Sequence, residues 1–269
     1  MNLTNYNTPD NKFLVFQSTG KPIEELPGIL SGFLLALLHN YNFRIDGLDK
    51  SPFADVFTSE IRWWGDKWKN MSWKHGFMNL TDASREEVSF LETQKISEKY
   101  FNSNILYFYT NKDLIPHIIK NESNSEVLKQ ITDGEKFSYK KLYDILFKDV
   151  EESYSENFKF LMDEMTSYKN QIVIMIDENV DLSSLKELSE YDFVYVLVDN
   201  QNLFGTIKDL YPNIKFSKIK QQKNVDIDND KIHKIGKMLE FHFITKFPKF
   251  IDFSKNQNGV ILDKIINQG

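Results

Sequence analysis

Apolar positions along the chain keep two rhythms. In the first stretch, "KFLVFQS" (12–18) is a short run of β-forming residues, followed by a loop carrying Gly and Pro, "TGKPIEELPG". Ile29, Phe33, Leu34, Leu37 and Leu38 then recur at helical spacing, and "YNFRID" (41–46) follows as a second strand. Strand, loop, buried helix and strand predict a βαβ unit whose parallel strands are covered on both faces. Residues 52–73 hold all four tryptophans and read as irregular. "NILYFYT" (104–110) reads as a third strand, "KDLIPHII" as a helix, and 139–168 as one or two amphipathic helices. From Gln171 the alternation tightens. "QIVIMID", "DFVYVLVD", "IKFSKI" and "KFIDFS" read as strands, interleaved with helices over "SSLKELSE", "NLFGTIKDLY", "DKIHKIGKMLEFHFITKF" and "NGVILDKIINQ".

This pattern predicts an α/β protein of two Rossmann-like domains, 1–168 and 169–269. The division is placed near Tyr168–Gln171, where a charged helical stretch gives way to an apolar strand. In such folds ligands sit at the carboxyl ends of the strands, here in a cleft between the halves.

The densest apolar run, Ile29 to Leu38, has about half the roughly 20 residues a membrane span needs, and His39, Asn40, Asn42, Arg44 and Asp46 follow at once. Asp10, Lys12, Lys21, Glu24 and Glu25 interrupt the region before it, which argues against a signal peptide. The chain has no cysteine, which excludes disulfides, thiolate nucleophiles and Cys-based zinc sites. That suits a reducing cytoplasm, with the periphery of a membrane as the other place allowed. A net charge of −6 gives no broad reason to bind nucleic acid. Arg44, Arg62 and Arg85 are the only arginines, all in the first third.

Few motifs carry chemistry alone. "DIDND" (226–230) lacks the Gly and Glu of a calcium loop, with Lys231 and Lys237 in their places, and reads as a solvated loop and helix cap. The five histidines show no zinc spacing, and no Gly-x-Ser-x-Gly, P-loop or dinucleotide fingerprint occurs. Trp63, Trp64, Trp68 and Trp73 can stack on a sugar or base, or simply pack. Asp199 ends "YVLVD" where α/β folds place ligand-binding polar groups, or where a helix cap sits. Ser254 ends the last strand. Its hydroxyl, Lys255 and the N–H groups of the following helix form either a phosphate seat or an ordinary N-cap.

The order of these pieces is similar to that of a known family. "PGILSGFLLALLHNYNFRID" resembles the first motif of the fucosyltransferase-like superfamily with the two-Rossmann-domain (GT-B) fold, which includes the α1,6-, α1,2- and protein O-fucosyltransferases. "PFADVFTSEIRWW" is similar to the Pro…Asp-x-Phe…Trp segment that follows, and "LYDILFKDVEES" to the family's Leu-Phe-Lys-Pro-Ser stretch, without its Pro. "YVLVDN…LFGTIKDLYPNIKFS" resembles the strand, acidic turn, helix and Tyr-Pro of the donor domain. "FPKFIDFSKNQNGVILDKI" resembles the final Ser-bearing motif. The resemblance runs over nearly the whole chain, in order.

It implies a glycosyltransferase moving a sugar from a nucleotide-sugar donor to a glycan or other carbohydrate acceptor, with no cofactor and no obligatory metal. Gly28 is expected to allow close backbone approach at the cleft. Asp199, Asn200, Ser254, Lys255 and Asn256 are expected around the donor, and Asp177 or Glu178 as the base that removes the acceptor proton. One departure is sharp. The family's first donor-domain strand ends in His-x-Arg, whose Arg grips the diphosphate; here Met175 takes the His place and Asp177 the Arg place. A carboxylate repels a diphosphate, so the grip would fall to Lys21, Lys255, the last helix's N-terminus or Arg44. The alternative is a non-catalytic carbohydrate- or nucleotide-binding member of the fold, or a partner subunit.

Overall fold

The computed structural model describes residues 11–47, 52–61, 63–65, 69, 74–81, 83–93, 100–198, 201–217, 227–254 and 257–268. The chain divides into two compact units, Met1–Asp149 and Val150–Gly269.

The first unit is built on a parallel sheet of β1 (Phe13–Gln17), β2 (Asn42–Asp46), β3 (His75–Asn79) and β4 (Ile105–Tyr109), in the order β2-β1-β4-β3. Helix α1 (Pro22–His39) joins β1 to β2. It begins earlier than the apolar spacing predicts, because Pro22 suits a first turn and Glu24 and Glu25 place acid near the positive end of the helix. Pro27 lies inside the helix, where it removes one backbone donor, and burial of nearly the whole helix holds the chain helical there. Asn40, left-handed at φ 59°, ends α1 by donating its N–H to the carbonyls of Ala36 and Leu37.

One face of α1 is made of small residues. A Cβ at Gly28 would lie 2.1 Å from the Thr110 carbonyl oxygen, and one at Gly32 2.8 Å from the Phe108 ring. The helix therefore lies close against β4, over a core of Leu14, Phe16, Phe33, Phe43, Ile45 and Phe108. Helices α2 (Ile115–Lys120) and α3 (Tyr139–Leu146) follow β4. Trp63, fully buried, donates its indole N–H to the Leu146 carbonyl at 2.9 Å and packs against Phe53 and Phe147. Here Trp63 is core rather than surface. Strand β3, which the sequence pattern does not predict, pairs with β4 alone and so sits at the sheet edge, where the sequence "HGFMN" needs only one apolar face.

The second unit opens with α4 (Glu152–Thr166) and continues through β5 (Gln171–Met175), β6 (Phe193–Leu197), α5 (Gln201–Leu210), β7 (Lys215–Ser217), α6 (Ile227–Ile244), β8 (Phe250–Asp252) and α7 (Gln257–Ile266). Its sheet is parallel, in the order β7-β6-β5-β8. The structural division falls before α4, not after it as the composition shift suggested. The Phe158 ring of α4 packs 5.3 Å from that of His242 and 6.4 Å from that of Phe243, both on α6, and this contact gives α4 to the second unit. Residues 182–190, expected as an α-helix, form 3-10 turns entered through Asp181, whose carboxylate accepts the Ser183 N–H at 2.9 Å.

Candidate functional site

Each sheet reverses its direction of growth once. In the first, β1 leads to β2 on one side while β4 lies on the other. In the second, β5 leads to β6 and β7 on one side while β8 lies on the other. Outside the carboxyl ends of such strand pairs, α/β folds leave a crevice for ligands. In the second unit that edge is formed by Met175, Ile176 and Asp177 after β5 and by Asp252, Phe253 and Ser254 at the end of β8. Asp252 stands opposite Met175 in the register, and the Phe253 N–H donates to the Met175 carbonyl at 2.8 Å. The sequence-predicted Asp177 and Ser254 thus come to one edge.

Their hydrogen bonds are local. Asp177, half-buried, accepts the Asn179 backbone N–H on Oδ1 at 2.8 Å, and its carbonyl accepts the Val180 N–H at 3.3 Å. That is a turn cap made by Oδ1. Glu178 beside it is exposed. Ser254 donates both its backbone N–H and its hydroxyl to Asp252 Oδ1, each at 2.8 Å. The Asp252 carboxylate also lies against the first turn of α7. A Cβ at Gly259 would stand 2.0 Å from Oδ2.

The corresponding turn of the first unit follows β1. Glu25, 4% exposed, accepts the Ser18 hydroxyl at 2.6 Å on one carboxylate oxygen. On the other it accepts the Thr19 backbone N–H and hydroxyl, each at 2.5 Å. The Gly20 N–H, on a backbone at φ 96°, turns back to the Ser18 hydroxyl oxygen at 3.2 Å. Gly28 sits one helical turn beyond Glu25, so its missing side chain makes room for the Thr110 carbonyl within the core. Of the cations suggested for a diphosphate, Lys21 is exposed and paired with Glu24 at 3.2 Å. Arg44 donates to the Phe43 carbonyl at 2.6 Å and lies 5.4 Å from the centre of the Phe13 ring. Asp199, Asn200, Lys255 and Asn256, like Trp68 and Trp73, lie outside the described residues.

Asp252 and Glu25 were not singled out from sequence. Asp252 is legible as Asp-x-Ser at a strand end with a glycine in the first turn of the next helix. Glu25 is legible as the one acid heading the small-residue stripe Gly28, Gly32, Ala36. Among the described residues, no group of three or more His, Asp or Glu side chains could hold a metal ion, and no helix is long and apolar enough to cross a membrane.

Two parallel Rossmann-like sheets, each with one topological switch, define the class of the protein: an α/β chain of GT-B-like architecture. Solved structures specify it further. The chain is similar over 96% of its length, and 70% of the other's, to a mutant of Arabidopsis thaliana FUT1 in complex with GDP, at 13% identity and a TM-score of 0.70. It is similar to NodZ α-1,6-fucosyltransferase soaked with GDP-fucose over 96% of this chain and 93% of that one, at 11% identity and a TM-score of 0.58. NodZ fucosyltransferase from Bradyrhizobium matches over 96% and 94%, at 11% identity and a TM-score of 0.59. No family model matches the sequence, and no curated protein matches it at significance. The chain has a fucosyltransferase-like fold.

Proposed function

We propose that this chain is a glycosyltransferase that takes a sugar from a nucleotide-sugar donor and passes it to a glycan or other carbohydrate acceptor. The observation that carries the reading is the convergence of Asp177 and Ser254 on the β5/β8 edge, where a fold of this kind takes its ligand. The fucosyltransferase-like fold supports it over nearly the whole chain.

In this reading the donor lies along that edge, at Ser254; Asp199, Asn200, Lys255 and Asn256, expected around the donor from sequence, lie outside the described residues. Reaction is a direct displacement at the anomeric carbon. The acceptor oxygen attacks as its proton passes to a carboxylate, Asp177 Oδ2 or Glu178, and the nucleoside diphosphate leaves. The scheme uses no metal. Thermal shift with GDP, UDP, CMP and their sugars tests it. A ligand present at 100 times its Kd stabilises the folded state by about 2.7 kcal/mol, which raises the melting temperature measurably. No shift with any of them removes the donor from this reading.

A further inference from the structure

The first sheet has a second face. The small residues of α1 lie against the rings of Phe16, Phe43 and Phe108, and side chains alternate along a strand, so the residues next to these point the other way. The four strands end in Gln17, Asp46, Asn79 and Tyr109, and each carboxyl end thus sets a hydrogen-bonding side chain on the second face. Gln17 donates from Nε2 to Asp46 Oδ2 at 3.2 Å, and Lys69 stands 3.2 Å from Oδ1. Two positions back from their strand ends, Phe77 and Tyr107 are register partners on β3 and β4. Their rings stack with centroids 5.1 Å apart and planes 17° apart, and the His75 ring stacks on Tyr107 at 5.7 Å and 19°. Phe77 is nonetheless 65% exposed.

A phenyl ring left bare on an edge strand is a surface for association. The charges around it select the partner. Among the strand residues of this face Asp46 is the one acid and Arg44 the one strong base, so the face offers no net charge to an ionic ligand. A sugar ring is neutral, with an apolar C–H face for an aromatic ring and a rim of hydroxyls for amides, carboxylates and phenols. We infer that the β3/β4 edge is a saccharide-binding platform, on which Phe77 and Tyr107 stack with a sugar ring and Asn79 and Tyr109 bind its hydroxyls. Gln17 and Asp46 lie one and two strands beyond β4, at about 4.8 Å per strand. They therefore meet the next sugars of a chain, and the platform favours an oligosaccharide over a monosaccharide. The Tyr107 phenol is held above its usual pKa, by burial first and by the Asp46 carboxylate next, which ties the aromatic pair to the polar row. The inference goes beyond the proposed function, because binding at this edge needs neither donor nor turnover.

Calorimetric titration with neutral chito-, cello- and manno-oligosaccharides, their monosaccharides and GDP tests the proposal, with folding followed by circular dichroism. Two variants accompany the wild type. Phe77→Leu keeps apolar bulk and loses the ring, whereas Phe77→Trp keeps a ring. The wild type should bind at least one oligosaccharide series, more tightly than its monosaccharide. Phe77→Leu should weaken that binding about tenfold, and Phe77→Trp should preserve it. A wild type that binds no saccharide, or a folded Phe77→Leu that binds as well as the wild type, overturns the inference. Loss of GDP binding in Phe77→Leu without any saccharide binding makes the rings a seat for a base and overturns it too. The proposed function fails separately. Donor cleavage with an acceptor KM untouched by Phe77→Leu keeps the transferase and removes the platform. Saccharide binding that depends on Phe77, with no donor cleaved, keeps the platform and removes the transferase.

Discussion

The two strand-to-helix turns at the switch points use the same chemistry in opposite settings. After β1, Glu25 is buried and takes three donors from Ser18 and Thr19. After β8, Asp252 is half-buried and takes two from Ser254. Each stands close to a glycine, but the glycines serve different neighbours. Gly28 makes room for a backbone carbonyl that cannot move, whereas Gly259 makes room for the end of a side chain that can. The first turn is part of the core, and the second is half-exposed. A carboxylate at a helix start is therefore enclosed in the core in one unit and left partly exposed in the other.

The glycines test this contrast most severely. Gly28→Ala forces a Cβ onto the Thr110 carbonyl and is expected to cost about 3 kcal/mol or more, while Gly259→Ala should cost less than about 1 kcal/mol because Asp252 can rotate away. All four tryptophans belong to the first unit, so their fluorescence in a denaturant titration reports that unit, with circular dichroism following both. Equal losses would erase the distinction.

The carboxylates come next. Glu25→Ala leaves three donors beside a buried gap and should cost about 2–3 kcal/mol. Asp252→Ala loses a half-exposed cap and should cost about 1 kcal/mol.

A smaller effect separates the units in acid. His39, stacked on Phe101 with ring centroids 3.8 Å apart, has its Nε2 buried without a hydrogen-bond partner, and burial pushes its pKa down from 6.5 to about 4. The unfolded chain binds this proton below 6.5 and the folded chain does not until about 4. The first unit should therefore lose stability as pH falls through that window, by roughly 3 kcal/mol, and change little from this group above it. His39→Leu should flatten that part of the profile read by tryptophan fluorescence; an unchanged slope would assign the loss to other groups.

The smallest effect is expected at Asp177. Asp177→Asn keeps the oxygen that caps Asn179 and should shift stability by less than about 0.5 kcal/mol. Turnover separates its roles. Activity lost without unfolding marks the base, and activity kept leaves only the turn cap.

What the sequence made legible follows from this division between periodic and local signals. The alternation of apolar strands with helices from Gln171 onward foretold the second sheet, because buried parallel strands must be continuously apolar. Strand β3 stayed hidden, since an edge strand of sequence "HGFMN", with Gly76 as its second residue, carries little β-forming signal. The first turns of α1 stayed hidden because Pro22, Pro27 and the acids Glu24 and Glu25 look like a loop when read singly. At the site, strand ends marked Asp177 and Ser254. The meaning of Asp252 depends on Gly259, a partner across a turn whose approach no periodicity encodes.

The measurement that bears most directly on the whole account is release of free nucleoside diphosphate from GDP-, UDP- and other nucleotide sugars, with and without a panel of glycan acceptors. The account predicts release from at least one donor that rises when its acceptor is added and falls in Asp177→Asn. A folded protein that releases none from any donor with any acceptor, and gains no thermal stability from any of them, would contradict it.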